Sequence, residues 1–198
     1  MGKGAQTREA ILVRSLSLAS HLGLEGVTIG RLAEELDLSK SGLFAHFRSK
    51  EELQLQTLQR AADEFVEAVV KPALAVPRGE RRVRALFEGW LRWPEVVPQP
   101  GGCIFVAAAV ELDDRPGPAR ELLVRLQRDW LDVIATTVRA ACSMGEFRRD
   151  VDPEQFAYEV YGIMLVCHHA TRLLRDPKAT ERAEKAFTRL VGAARARR

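Results

Sequence analysis

From Thr7 to Val191 the apolar residues recur at intervals of three and four and almost nowhere alternate, which commits the backbone to helices and leaves no run for a sheet. The chain is expected to be all-α, with about nine helices whose ends are set by Gly, Pro, Ser, Thr and Asp. A first helix opens at Thr7, places Ile11, Leu12, Leu16, Ala19 and Leu22 on one face, and stops at Gly23. Thr28 caps a second, which carries Ile29, Leu32, Ala33 and Leu36, and Asp37 occupies a left-handed turn position that Asp tolerates. Ser39 caps a short third helix that ends near Phe47 or Arg48. In "RSKEEL" Ser49 and Glu52 form a capping box that opens a fourth at Lys50.

The fourth helix continues to about Val70, where Pro72 and Pro77 kink or end it. A fifth carries Val83, Leu86, Phe87, Trp90 and Leu91 and is closed by Pro94, Pro98 and "PGG". The sixth, "CIFVAAAVEL", is apolar nearly all round, as a helix enclosed by others should be. Pro118 starts a seventh that runs to about Met144, and Asp152 with Pro153 starts an eighth that reaches Leu174. "RDPKA" opens a ninth with Ala183, Ala186, Phe187, Leu190 and Val191 on its apolar face, and "ARARR" follows as a solvated tail.

At 198 residues the chain can bury a substantial core, and 46% hydrophobic with 29% charged residues is ordinary for a globular protein. No stretch is long and apolar enough to span a bilayer, and "MGKGAQTREA" has no apolar core after its lysine, so a cytoplasmic location is expected. Cys103, Cys142 and Cys167 are odd in number and sit in apolar segments, which reads as buried free thiols. A net charge of +3 is too small to argue for nucleic acid. Enzyme chemistry finds no nucleophile with a base and no paired carboxylates; Glu111, Asp113 and Asp114 of "ELDD" read as a solvated turn beside "RPGP". His168 and His169 are adjacent and point about 100° apart on a helix, so no metal site and no cofactor are expected.

Two short helices joined by a turn of about three residues, the second capped by Ser39 and followed by a capping box, have the geometry of a helix-turn-helix. Geometry alone leaves nucleic-acid binding and a structural hairpin open. The residues go further. "TREAILVRSLSLASHLGLEGVTIGRLAEELDLSKSGLFAHFRSKEEL", Thr7 to Leu53, resembles the N-terminal DNA-binding domain of the tetracycline-repressor (TetR/AcrR) family of bacterial transcriptional regulators. "GGCIFVAAAVELDDRPGPARE" and "GEFRRDVDPEQFAYEVYG" resemble one of its C-terminal subtypes.

The resemblance implies a three-helix DNA-binding domain over residues 1–49 and a ligand-binding and dimerisation domain over 50–198. It implies phosphate contacts from Thr28, His46 and Lys50, and base or phosphate contacts from Lys40 and Ser41. Gly42 lets the backbone approach the duplex, and Arg31 partly substitutes for the side chain that Gly30 lacks. Phe44 stands where the family usually has Tyr, so a phosphate contact gives way to an apolar one. Leu43 and Phe47 are expected to pin the third helix to Ile29, Leu32 and Leu36. An effector pocket would draw on Trp90, Trp93, Phe105, Trp130, Tyr161, Met164 and His168, which core packing would also explain. The partners implied are a double-stranded operator, an unidentified small apolar or amphipathic effector, and a second copy docked through the last two helices. The expected function is that of a ligand-responsive repressor; a helical scaffold without DNA binding, or an activator, are the alternatives.

Overall fold

The structure, a computed structural model, describes residues 3–97 and 99–196. Pro98, expected to help close the fifth helix, and Arg197 and Arg198 of "ARARR" lie outside the described residues. Ten α-helices succeed one another: α1 (Lys3–Leu22), α2 (Ile29–Glu35), α3 (Lys40–Phe44), α4 (Lys50–Phe65), α5 (Lys71–Ala75), α6 (Glu80–Val96), α7 (Ile104–Leu112), α8 (Pro118–Ser143), α9 (Pro153–Arg172) and α10 (Ala179–Ala194). A wider π turn, Val66–Val70, joins α4 to α5 without interruption, so nine helical rods form among the described residues. No strand occurs among them; Phe147 and Arg195 make one isolated bridge.

The chain forms two compact units interleaved in sequence, one of Met1–Glu64 with Val97–Arg125 and one of Phe65–Val96 with Leu126–Arg198. They do not follow the division expected at residue 49, because α7 and the first turns of α8 share a core with the N-terminal helices. That core holds Ile11, Leu16 and Ala19 of α1, Leu32 of α2, Leu43 and Phe47 around α3, Leu53, Leu58 and Ala61 of α4, and Ile104, Ala108 and Leu112 of α7. Leu43 and Phe47 are fully buried, and Ile29 and Leu36 pack against the same cluster, as the helical spacing predicts. Turn chemistry fixes the connections. Gly23 has φ 78° and Asp37 φ 51°, both in the left-handed region. Gly101 is dictated by contact: a Cβ there would lie 1.5 Å from the Ser20 carbonyl oxygen, so the loop before α7 meets the end of α1 only because no side chain intervenes.

The second unit buries Val83, Leu86, Phe87, Trp90 and Trp93 of α6, Trp130, Ile134 and Val138 of α8, Phe156, Val160 and Met164 of α9, and Phe187 and Val191 of α10. Phe87 stacks on Phe187 with centroids 4.0 Å apart, and the Arg84 guanidinium lies over the Phe187 ring. The Asp152 carboxylate accepts from the Glu154 and Gln155 N–H groups, the cap that the Asp-Pro pair predicts for α9.

Several expectations are corrected. α1 begins at Lys3, four residues before Thr7, and α3 is regular only to Phe44, with single turns carrying the chain to Phe47. The fourth rod passes Val70, because the π turn widens the backbone just where the Pro72 ring would meet the carbonyl of Ala68. Pro94 does not close its helix; α6 runs two residues beyond it, since only the final turn has to forgo a ladder bond. α7 is not enclosed: Ile104, Ala108 and Leu112 are buried, but Val110 is 75% exposed. The tail is not free. The Arg195 guanidinium makes two 2.6 Å hydrogen bonds to the Glu80 carboxylate, and the Ala196 N–H donates to the Glu146 carbonyl.

Candidate functional site

On the first unit, α2 and α3 hold the residues expected to meet DNA. The Thr28 hydroxyl accepts from the Arg31 N–H at 3.2 Å, which satisfies one donor at the α2 start and leaves the Ile29 and Gly30 N–H groups without an intrahelical acceptor. Ser39 does the same for α3, accepting from the Gly42 N–H at 3.0 Å. The expected freedom at Gly42 has an internal reason as well, since a Cβ there would lie 3.1 Å from the Ser39 hydroxyl oxygen.

The exposed side of α3 presents Lys40, Ser41 and Phe44, the last 51% exposed, with His46 half-buried just beyond. Its opposite side is anchored by Leu43 and Phe47, and the Arg8 guanidinium lies 5.4 Å from the Phe47 ring centroid. Lys40 runs beside Gly30: a Cβ on Gly30 would sit 3.6 Å from the lysine Cε. Gly30 on α2 and the lysine on α3 are thus neighbours at ordinary contact distance. Arg31 is held toward its own helix by Glu35 at 3.6 Å, a carboxylate that Arg14 also engages.

α4 opens behind α3. The Ser49 hydroxyl accepts from the Glu52 N–H at 3.0 Å, and the Glu52 carboxylate accepts from the Arg48 N–H at 2.9 Å, one residue ahead of the ordinary capping-box donor. Lys50 is not isolated. Its ammonium donates to the Glu25 carboxylate at 2.7 Å and to the Glu25 carbonyl at 3.1 Å. Hydrogen bonds from Lys50 and then Gln54 hold the Glu25 carboxyl below the usual carboxylate range.

Sequence pattern misplaces Glu111. It is not part of a solvated acidic turn: half-buried on α7, it accepts from the Leu24 and Glu25 N–H groups, each at 2.7 Å. The available signal was its phase, since it shares the face of Ile104, Ala108 and Leu112 on a helix that is otherwise apolar.

The effector candidates divide between the units. Phe105 belongs to the first, packed against the α1–α7 core, and the other six belong to the second. There Phe65, expected only as part of the fourth helix's apolar stripe and not as a pocket residue, meets Trp93 and Trp130 edge-on, with centroids 5.2 and 4.9 Å apart and both interplanar angles 87°. The Nε1–H groups of Trp93 and Trp130 are buried with no acceptor among the described residues, as is His168 Nε2. Burial, reinforced by Arg172 and His169, pushes the His168 pKa below its ordinary value. The Tyr161 hydroxyl donates to Gln127 Oε1 at 2.9 Å. Trp90 and Met164 are buried in the same unit. No group of three His, Cys, Asp or Glu able to hold a metal occurs among the described residues.

The comparisons with known proteins agree with this arrangement. A profile described as "Bacterial regulatory proteins, tetR family" matches residues 11–57, and one described as "Tetracyclin repressor-like, C-terminal domain" matches residues 79–187, more than half of the chain. Curated proteins include no significant match. Among solved structures, a TetR transcriptional regulator from Chloroflexus aurantiacus J-10-FL is similar, with TM-score 0.87, 27% identity and coverage of 100% of both chains. A transcriptional regulator from Saccharomonospora viridis, solved in complex with choline, has TM-score 0.85 at 21% identity and covers 98% of this chain and 100% of its own. AibR, solved with isovaleryl coenzyme A and operator DNA, has TM-score 0.74 at 22% identity and covers 94% of this chain and 97% of its own. An N-terminal helix-turn-helix with its cap and core residues in place, continued by the family's C-terminal domain, is a regulator and not an enzyme: the chain belongs to the TetR family of bacterial transcriptional regulators.

Proposed function

We propose that this regulator is a ligand-responsive repressor which binds a pseudo-palindromic operator as a dimer and is released by a small apolar or amphipathic effector. The observation that carries the DNA half is the pairing, on α3 and the turn after it, of a fully buried anchor, Leu43 and Phe47, with an exposed edge of Lys40, Ser41 and Phe44. A helix held on one side by core packing presents the other in fixed register, as major-groove reading requires. Lys40 and Ser41 read base edges or phosphate. Thr28, His46, Lys50 and the α2 N-terminus hold phosphates; Arg31 supplements them, and Phe44 makes an apolar contact. Functionally the chain divides into residues 1–49 for DNA and 50–198 for effector and partner.

The dimer reading rests on α9 and α10. Tyr158, Val166, Leu173 and Leu174 are exposed at 72, 67, 70 and 63%, and an open groove of about 850 Å³ between the two helices is lined by Ile163, Val166, Ala170, Ala183 and Leu190. A second copy is the economical cover for such a stripe. A two-fold pair of α3 helices then fits half-sites about 34 Å apart.

The effector reading rests on the aromatic cluster. A buried indole N–H ordinarily finds an acceptor, so two without one among the described residues favour an effector with an acceptor oxygen on an apolar body. An acyl thioester like the one bound by AibR has that chemistry; choline, bound by the Saccharomonospora protein, would use the ring faces instead. Switching DNA occupancy from 99:1 to 1:99 requires about 5.5 kcal/mol of differential effector affinity.

In-vitro selection from a random DNA pool tests the core of this reading. A recovered inverted repeat, bound with a steep salt dependence and lost by Val166→Glu together with dimerisation, supports it. Full-affinity binding of a monomer to a single half-site, or no DNA binding, refutes it. Acyl thioesters that weaken operator binding separate a repressor with an effector from a constitutive one.

A further inference from the structure

The turn between α1 and α2 is gripped on both sides. From α7, the Glu111 carboxylate takes both N–H groups of Leu24 and Glu25, each at 2.7 Å. From α4, the Gln54 amide donates to the Leu24 carbonyl at 3.2 Å, and the Lys50 ammonium donates to the Glu25 carbonyl at 3.1 Å. Every backbone polar group of these two residues is therefore satisfied by a side chain from a different helix. The grip continues through the Glu25 side chain, whose carboxylate oxygens receive Lys50 at 2.7 Å and Gln54 at 3.0 Å.

Gly23 is what allows the fork. A Cβ at this left-handed residue would stand 2.8 Å from Glu111 Oε2, so the carboxylate occupies the space that a side chain would fill. Lys50 has three N–H donors, of which two go to Glu25 and one remains, on a side chain that is 39% exposed. The start of α4 also carries the Ser49 and Glu52 box that fixes Arg48, four residues past the end of α3.

We propose that Glu111 is a positioning residue for operator binding: through the Leu24–Glu25 turn it holds Glu25, and through Glu25 it fixes the Lys50 ammonium at the mouth of α4, where a DNA phosphate docks. A shift of α7 that withdraws the carboxylate loosens the turn and swings the lysine off its phosphate. The inference rests on the phosphate role given to Lys50 above, so the test measures that role separately.

Full-length wild type, Glu111→Ala, Lys50→Ala and the double variant are titrated onto the selected operator between about 50 and 200 mM salt, with thermal unfolding followed alongside. Lys50→Ala should weaken binding and lower the salt slope by about 0.9 per copy. Glu111→Ala should weaken it by about tenfold or more, two charge-assisted hydrogen bonds being lost. In the Lys50→Ala background the further loss from Glu111→Ala should shrink to within about threefold. Full additivity with an effective Lys50→Ala overturns the coupling and leaves Lys50 a phosphate contact. An ineffective Lys50→Ala overturns both. Should Glu111→Ala fail to fold, Glu111→Gln keeps one acceptor and should bind between wild type and Lys50→Ala; a Gln variant equal to wild type overturns the proposal.

Discussion

Replacing Lys40 by Ala separates reading from folding, because the structure assigns this side chain almost no part in packing. It is exposed, its alkyl chain lies beside Gly30, and its ammonium makes no hydrogen bond among the described residues. Truncation opens no cavity and orphans no polar group, so stability should change by less than about 0.5 kcal/mol. On DNA the magnitude is set by symmetry. One lysine contact to a guanine edge is worth about 1–3 kcal/mol. A dimer makes it twice, so the variant should lose about 2–6 kcal/mol, a weakening of about 30-fold to about 2 × 10⁴-fold. Fluorescence anisotropy on the selected operator and its single-base variants measures this. A base-reading lysine loses its discrimination at one position of each half-site. A phosphate-binding lysine weakens all sequences alike and lowers the log–log salt slope by about 1.8 per dimer. Wild-type affinity within about twofold, with slope and base preference intact, would refute the placement of Lys40 on the duplex. Gly30→Ala is the control: its Cβ would meet the lysine at 3.6 Å, an ordinary contact, so binding should hold.

Leu43→Ala should do the reverse, lowering unfolding stability by about 2–5 kcal/mol in denaturant titration while leaving the ranking of operator variants unchanged in the cold; a reordered ranking would contradict a purely anchoring role. Phe44→Tyr adds a hydroxyl at a half-exposed position on the side of α3 proposed to meet DNA, and should tighten binding to all operator sequences by about three- to tenfold if a phosphate is in reach; no gain on any sequence identifies an apolar contact. His168 titrates below its ordinary value in the folded chain, so the unfolded chain binds the proton first and stability falls as pH drops from about 6.5 toward the native pKa. Melting of wild type and His168→Gln between pH 7.5 and 5.5 should therefore diverge, with wild type losing more; parallel curves would show that the buried ring does not drive the loss.

What was legible in the sequence is what is decided locally. Thr28, Ser39, Ser49 and Asp152 cap helices through bonds that span two or three residues, and all four do so here. The buried faces of α1 to α4 followed from spacing, since burial of one stripe fixes a helix's rotation. What escaped is decided by contacts distant in sequence. Glu111 reaches back 87 residues to Leu24, and Arg195 reaches 115 residues to Glu80, distances over which periodicity carries no information. Phe65 looked like one more stripe residue because nothing local shows that Trp93 and Trp130 close on it. Pro72 is expected to kink or end its helix and Pro94 to close one because the steric rule is local, whereas the π turn that accommodates Pro72 and the late position that spares Pro94 belong to whole helices.

The π turn has a counterpart across the unit's core. α6 approaches it at Gly89, where a Cβ would lie 3.1 Å from a Val69 methyl. One rod is locally swollen by its wide turn, and its neighbour is locally bare. The two form a matched pair, so that a side chain at 89 requires Val69 to give way by a few tenths of an ångström. A larger residue at 89 should be accepted where Val69 has become Ala, or where a deletion within 66–70 has drawn the turn back to α-helical width. Among relatives that keep this packing, residue 89 should then vary in step with the length of the segment opposite it.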